Sequence, residues 1–367
     1  MILHKKIGII GCGVNGLSVA YLLQKKGYHV SVISKHHPFN DSIDPAFASL
    51  FPAASVIPHS VSGQNIEELF NTSQAFFNEL HQASFPGLSV FRHYELFADP
   101  KELPWYKRSM DDFLTLKDFE NDFYPTHPDI KVRSGWKFNC FFADWKLYYP
   151  ALFKKVFADN ATLTIRALSA DDISSLPFDI LINCGGLEGA ELFGDDDNLL
   201  YRGHLLSILD APKLKGNNDQ TISYNFSPGK DIYATLDGIP QDVYCYSRND
   251  GWVFGGSRQK GVLDAQGNWC GDKTAEPRQD LDGISFPAAI LDLNAAIIEN
   301  SFGIRVQDFP KRAVKVAYRF VRSAENGLRL DAEEKFGKQI IHNYGHGGAG
   351  VTLSWGCAKK IIELIES

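Results

Sequence analysis

The chain has 367 residues, 44% of them hydrophobic and 22% charged, with a net charge of −7. That balance specifies a soluble globular protein of about two domains, and the acidic excess argues against nucleic acid as its partner. Six cysteines, Cys12, Cys140, Cys184, Cys245, Cys270 and Cys357, form no C-x-x-C pair, which leaves a disulfide framework and a zinc site unsupported and predicts buried free thiols in a reducing compartment.

The chain opens MILHKKIGIIGCGVNGLSVAYLL. Glycines interrupt its apolar stretch and no small-residue cleavage site follows, so it does not read as a secretory signal. No apolar run reaches the length of a membrane-spanning helix. The last residues are Ile-Glu-Ser rather than the peroxisomal Ser-Lys-Leu. The expectation is a cytoplasmic protein without a membrane partner; a homo-oligomer is left open.

In chain order, residues 6–10 predict a strand. Gly11-Cys12-Gly13-Val14-Asn15-Gly16 follows, then apolar residues at helical spacing as far as Gly27, then a second strand over 29–34. This is a β-α-β unit with G-x-G-x-x-G at its first turn. Gly11 makes the tight turn, Gly13 admits a pyrophosphate to the helix N-terminus, and Gly16 lets helix and strand pack closely. The acidic residue that usually ends the second strand and holds a ribose is missing. Ser34-Lys35-His36-His37 stands there, so either Ser34 serves or Asp41 or Asp44 reaches back. No second fingerprint occurs, which fits a protein that binds FAD and takes electrons from its substrate; a single nicotinamide site is the alternative.

Further along, 65–82 predicts an amphipathic helix and 88–98 a strand, 99–135 is loop-rich, and 148–157 predicts a helix. Strands follow at 161–168 and 178–183, the second running into Cys184-Gly185-Gly186, another strand-to-glycine turn. Short strands at 205–209, 244–247 and 252–256 suggest an antiparallel sheet. A helix at 288–300 and strands at 314–321 and 339–343 lead to HNYGHGGAG, residues 342–350, and a last helix over 351–365. Four glycines between a strand and a helix permit close backbone approach, and the helix start carries partial positive charge suited to the electron-rich edge of a reduced flavin. His342 and His346 are four apart, but glycines forbid a helix between them and no third ligand is near, so no metal is expected.

These segments together resemble the D-amino-acid oxidase family, FAD enzymes that also include D-aspartate oxidase. The likeness runs through GIIGCGVNGLSVA, PAASVIPH, INCGGLEGAEL, YRGHLL, VYCYS, GGSRQKG, YRFVRSAENGLRLD and HNYGHGGAGVTLSWGCA. It implies an α/β protein with a Rossmann-like FAD-binding domain assembled from separated segments (1–60, 145–200 and 313–367), plus a substrate domain with a mainly antiparallel sheet (61–144 and 201–312). Gly11, Gly13, Val14, Asn15, Gly16, Ser34, Lys35, Cys184, Gly185 and Gly186 then contact the cofactor. The resemblance adds Ala53 and Ala54, with Ala54 where the family has glycine, and Gly347, Gly348, Gly350, Val351 and Thr352 at flavin-contacting positions.

The implied reaction passes a hydride from the substrate Cα to flavin N5, with O2 and water completing conversion to a 2-oxo acid, ammonia and hydrogen peroxide. It needs orientation rather than a side-chain base, so no catalytic acid or base is expected. Arg329 matches the family arginine that pairs with the α-carboxylate, with an insertion between Arg322 and Arg329. Tyr244 matches a tyrosine at the same carboxylate. Pro240 stands where the family has a second tyrosine, for which either Tyr246 or Tyr233 substitutes or no residue does. Gly348 lines the same pocket. Arg258 and His59 match D-aspartate oxidases, and a second cation there would pair with an acidic side chain. The expected substrate is D-aspartate, then D-glutamate; the alternatives are an oxidase of neutral D-amino acids and a dehydrogenase using another acceptor.

Overall fold

A computed structural model describes residues 5–40, 44–158, 161–271 and 276–366. It divides into two compact units, one of residues 1–88, 145–200 and 318–367, the other of residues 89–144 and 201–317. The sequence places the first boundary at residue 60. The structure moves it because the helix Ile66–Gln82 buries Leu69, Phe70, Phe77 and Leu80 and packs on the helix Gly350–Glu366. The amide of Gly356 donates to Ser73 Oγ at 2.8 Å in that contact.

The first unit holds a six-stranded sheet. From edge to edge its strands are Arg329–Lys335, Lys338–Tyr344, Ile180–Asn183, Ile7–Ile10, Val30–Ser34 and Ala161–Ile165. The first two pair antiparallel and every later neighbour is parallel. IGII and ILIN are buried along their whole length, which is why they read as unbroken apolar runs rather than alternating ones. The helix Gly350–Glu366 also packs on Val14–Lys25.

The second unit is built on a ten-stranded sheet in which antiparallel ladders dominate, although Leu88–Phe97 runs parallel to Ile222–Ser227. One face carries Tyr94, Leu96, Tyr224, Phe226, Cys245 and Phe254, packed with Ile290, Leu293 and Ile297 of the helix Ala288–Phe302. Alternate residues of the same strands, His93, Glu95, Ser223, Asn225, Tyr244 and Tyr246, are buried on the other face. A sheet so polar on a covered face is built for recognition rather than for packing alone. The strand Ser134–Ala143 joins this sheet from a region whose start the sequence reads as loop, and its alternating Trp136, Phe138, Cys140 and Phe142 are the missed signal.

Cys12, Cys140, Cys245 and Cys357 are buried as expected and Cys184 is half-buried, but Cys270 is exposed on a strand of three residues. Burial pushes the Cys12 and Cys184 thiols up to about 12, so both stay protonated and inert at neutral pH. Among the described residues no helix is long and apolar enough to cross a membrane.

Two backbone and charge features are directly testable. Ala54 adopts φ 74°, a left-handed conformation that costs a residue with a Cβ about 1 kcal/mol. Ala54→Gly is expected to raise stability by up to about 1 kcal/mol, read as a higher denaturation midpoint with unchanged m-value. His346 is fully enclosed, its Nε2 3.0 Å from Asn343 Oδ1, and burial lowers its pKa from 6.5 to about 4. Between those values the unfolded chain binds a proton the folded one refuses. Stability is therefore full above pH 6.5 and declines as pH falls toward 4, by on the order of 3 kcal/mol from this group. His346→Gln should flatten that decline in urea titrations at stepped pH; an unchanged slope rejects the assignment.

Candidate functional site

In the first unit, three predicted glycine turns leave the carboxyl ends of adjacent parallel strands, where open α/β sheets bind ligands. Gly11, at φ 97°, follows Ile7–Ile10, and a Cβ there would lie 2.5 Å from the carbonyl oxygen of Cys184. The turn at Cys184-Gly185 leaves the neighbouring strand, and Cys184 N donates to Ile10 O at 2.9 Å. A Cβ on Gly16 would lie 2.1 Å from Gly11 O, so helix and turn touch by bare backbone. Tyr149 Oη fixes the turn by donating to Cys12 O at 2.6 Å.

The third turn, HNYGHGGAG, closes on the segment after Ala53-Ala54. A Cβ on Gly347 would come within 2.4 Å of both Ser60 O and Val321 Cγ1. Gly348 N donates to Ser60 O at 3.3 Å, and Thr352 Oγ1 to Ile57 O at 3.0 Å. Val351 is buried in the same turn of helix. A Cβ on Gly350 would lie 3.5 Å from Asn15 Nδ2, so the last glycine motif stands beside the first helix start. The bare backbone of the nonapeptide thus serves first to seat it on residues 57–60. His59 lies there, its carbonyl 3.5 Å from the position of a Cβ on Gly348.

The residues present fit a dinucleotide. The helix Val14–Lys25 starts at Gly13 without a side-chain cap from that residue, leaving first-turn N–H groups for an anion. Val14 N is met by Ser49 Oγ at 3.0 Å, a hydroxyl the sequence reading overlooked. Asn15 Oδ1 is buried with no hydrogen-bond partner among the described residues. Its amide can present either end to a ligand.

At the ribose end, Ser34 Oγ donates to His36 O at 2.8 Å, and Lys35 is ion-paired with Glu188. Asp44 Oδ2 lies 3.3 Å from His36 Nε2. Asp41 lies outside the described residues.

Arg329 begins the edge strand Arg329–Lys335, and its charge is already opposed. Nη1 donates to Tyr344 Oη at 2.8 Å and lies 3.7 Å from Asp195 Oδ2; Nε is 3.1 Å from Asp331 and Nη2 3.8 Å from Glu333. Tyr344 Oη in turn donates to Asp195 at 2.8 Å, and Arg322 Nε lies 3.0 Å from the same carboxylate. An incoming carboxylate would compete with three acids for Arg329. On the strand Arg312–Val321, Phe320 meets the Tyr344 ring, its centroid 6.0 Å away, and Arg322 just beyond the strand faces Asp195 on that same side. By strand alternation Arg319 shares the opposite side with Val321, the residue that abuts Gly347.

In the second unit, Tyr244 and Arg258 come to one end of the hairpin formed by Val243–Arg248 and Gly251–Gly255. Tyr244 pairs with Gly255, and a Cβ on Gly255 would lie 2.2 Å from the Tyr244 hydroxyl. Gly256, at φ 134°, presses on the next turn of chain, where a Cβ would be 1.8 Å from Asp242 O. Arg258 follows, its N donating to Gln241 Oε1 at 2.8 Å and its Nη2 3.0 Å from Asp242 Oδ1. Tyr246 Oη is taken by Asn225 Oδ1 at 2.7 Å. Tyr233 Oη is buried with no hydrogen-bond partner among the described residues. Among the described residues no cluster of His, Cys, Asp or Glu could hold a metal.

A model of the family described as FAD dependent oxidoreductase matches residues 6–364. A D-amino-acid oxidase of Rubrobacter xylanophilus is 26% identical over 360 residues, covering 97% of this chain and 94% of its own. A human D-aspartate oxidase is 25% identical over 373 residues, covering 98% and 94%. Among solved structures, glycine oxidase from Geobacillus kaustophilus superposes with a TM-score of 0.65 at 13% identity over 99% of this chain and 94% of that one. An L-alpha-glycerophosphate oxidase from Mycoplasma pneumoniae with FAD bound gives 0.63 at 13% identity over 99% and 95%. With nearly the whole chain matched and the glycine turns built to receive a dinucleotide, this protein belongs to the FAD dependent oxidoreductase family and is an FAD enzyme.

Proposed function

We propose that this chain oxidises D-amino acids and favours those with an acidic side chain. The observation that carries the reading is the placing of Tyr244 and Arg258 at one end of one hairpin, on a sheet whose polar residues are buried. Bound FAD supplies the two-electron acceptor, and O2 takes the electrons on as hydrogen peroxide. The chain's own residues bind and orient. Tyr244 Oη donates to the substrate α-carboxylate. A guanidinium of the 319–329 segment balances that carboxylate: Arg329, which also faces Asp195, Asp331 and Glu333 within its own sheet. Arg258 receives the side-chain carboxylate, and His59, beside Gly348, is a further polar group for it.

A second reading has an observation in its favour. Arg258 is already charge-compensated by Asp242, so a neutral side chain would leave no cation unpaired. This supports an oxidase of neutral D-amino acids on the same scaffold.

Peroxide release from D-aspartate, D-alanine and L-aspartate separates these readings. Activity with D-aspartate above D-alanine, and none with L-aspartate, is expected. No peroxide from either D-substrate overturns the reaction; preference for D-alanine overturns only the acidic specificity. Arg258→Ala is expected to lower kcat/KM about 100-fold for D-aspartate and less than about threefold for D-alanine.

The carboxylate role of Arg329 is told from a purely structural one by where its loss is felt. Arg329→Ala should raise KM for every substrate by about 100-fold. A loss of stability with KM unchanged would leave Arg329 as a brace for Asp195 and Tyr344.

A further inference from the structure

Arg258 stands against a carboxylate on a stretch of closely packed backbone. Gly256 brings the chain onto Asp242 so closely that any Cβ would overlap its carbonyl, and Gln241 anchors the Arg258 amide. The guanidinium lies 3.0 Å from Asp242 Oδ1, and both side chains keep some exposure, 37% and 20%.

The surroundings add charge of both signs. Glu276 pairs with Arg278 Nη1 at 2.9 Å, Gln259 Nε2 donates to Glu276 at 3.3 Å, and Arg202 donates twice to Gln259 Oε1. Burial of the Tyr233 phenol raises its pKa first, and Glu276, Asp242, Arg278 and Arg258 all act on it further, so these groups share one neighbourhood. Glu276 Oε2 and Tyr233 Oη are both buried without a partner among the described residues. Arg258 and Arg278 thus each face a carboxylate, Asp242 and Glu276.

We propose that Asp242 is a specificity-determining residue: it competes with the substrate side chain for Arg258 and so sets the balance between acidic and neutral D-amino acids. The inference rests on the reading of Arg258 as the side-chain receptor. An acidic side chain must share the guanidinium with Asp242 and bears the repulsion between two carboxylates. A neutral side chain leaves Asp242 in place as the counter-charge, so Arg258 is never stranded. The same carboxylate thus weakens binding of one substrate class and protects binding of the other.

The consequence is reciprocal, which a residue that merely braces the hairpin would not produce. In the FAD-loaded enzyme, Asp242→Asn is expected to lower KM for D-aspartate about tenfold and to raise KM for D-alanine severalfold, with kcat for each within about threefold of the parent. Asp242→Ser, which removes the charge with a smaller group, carries the same expectation. KM values that rise together, or that do not move, overturn the inference. Failure of both variants to fold as flavoproteins also counts against it, because the pair would then be structural. Arg258→Gln, assayed in parallel, separates the two levels. If it lowers the D-aspartate to D-alanine ratio of kcat/KM by tenfold or more, the receptor reading stands and Asp242 is judged alone; an unchanged ratio sinks the receptor reading instead.

Discussion

The first unit depends on contact between bare backbones at the ends of three neighbouring strands. Gly11 lies on the Cys184 carbonyl, Gly16 on Gly11, and Gly347 on Ser60, each so close that a methyl group would overlap a main-chain oxygen. Parallel strands 7–10, 180–183 and 338–344 set these turns side by side, because the register of one fixes the ends of the next. Any side chain at such a glycine would have to push two strands or a helix apart. What the crowding achieves is a helix start whose amides stay turned outward, beside an asparagine amide with an open acceptor. An anionic cofactor supplies what that arrangement lacks.

Much of this was legible in the sequence because the controlling residues are local. Strand, glycine turn and helix follow within about thirty residues, and each glycine has a distinct steric reason. The nonapeptide was legible as an unusual turn, but its first partner was not. Residues 57–60 lie nearly three hundred positions earlier, and no periodicity marks a contact of that range. Ser49 was missed for the same cause, a hydroxyl brought over Val14 by a short helical turn. The edge strand Arg329–Lys335 was hidden because RLDAEEK shows no apolar face; an edge of a sheet requires none. The domain boundary moved for a physical reason visible only in three dimensions, the apolar stripe of Ile66–Gln82 lying on the last helix.

Arg329 shows how one guanidinium can be shared among several acids. The segment 319–329 holds three arginines within eleven residues, and all could serve a carboxylate by type. Arg322 and Arg329 converge on Asp195, whose carboxylate also accepts from Tyr344, so their guanidinium groups are neutralised where the sheet needs them. Such a network is costly to break, since removing one member leaves its partners charged and partly buried.

The same electrostatic rule governs the second unit, where, on the proposed reading of Arg258 as the side-chain receptor, it bears on selectivity. A guanidinium half-sheltered from water cannot wait uncompensated for a ligand that is absent most of the time. Either the site supplies its own counter-charge or the cation is destabilising in the empty protein. Asp242 is that counter-charge for Arg258, as Glu276 is for Arg278. A binding site that satisfies its own cation stays folded when empty but must then surrender part of that satisfaction to an anionic substrate. Affinity for an acidic side chain is therefore a difference between two carboxylates competing for one fork, not the full strength of either pair. That difference is small and tunable by single residues around the pair, which is why an acidic and a neutral preference can be neighbours on one scaffold.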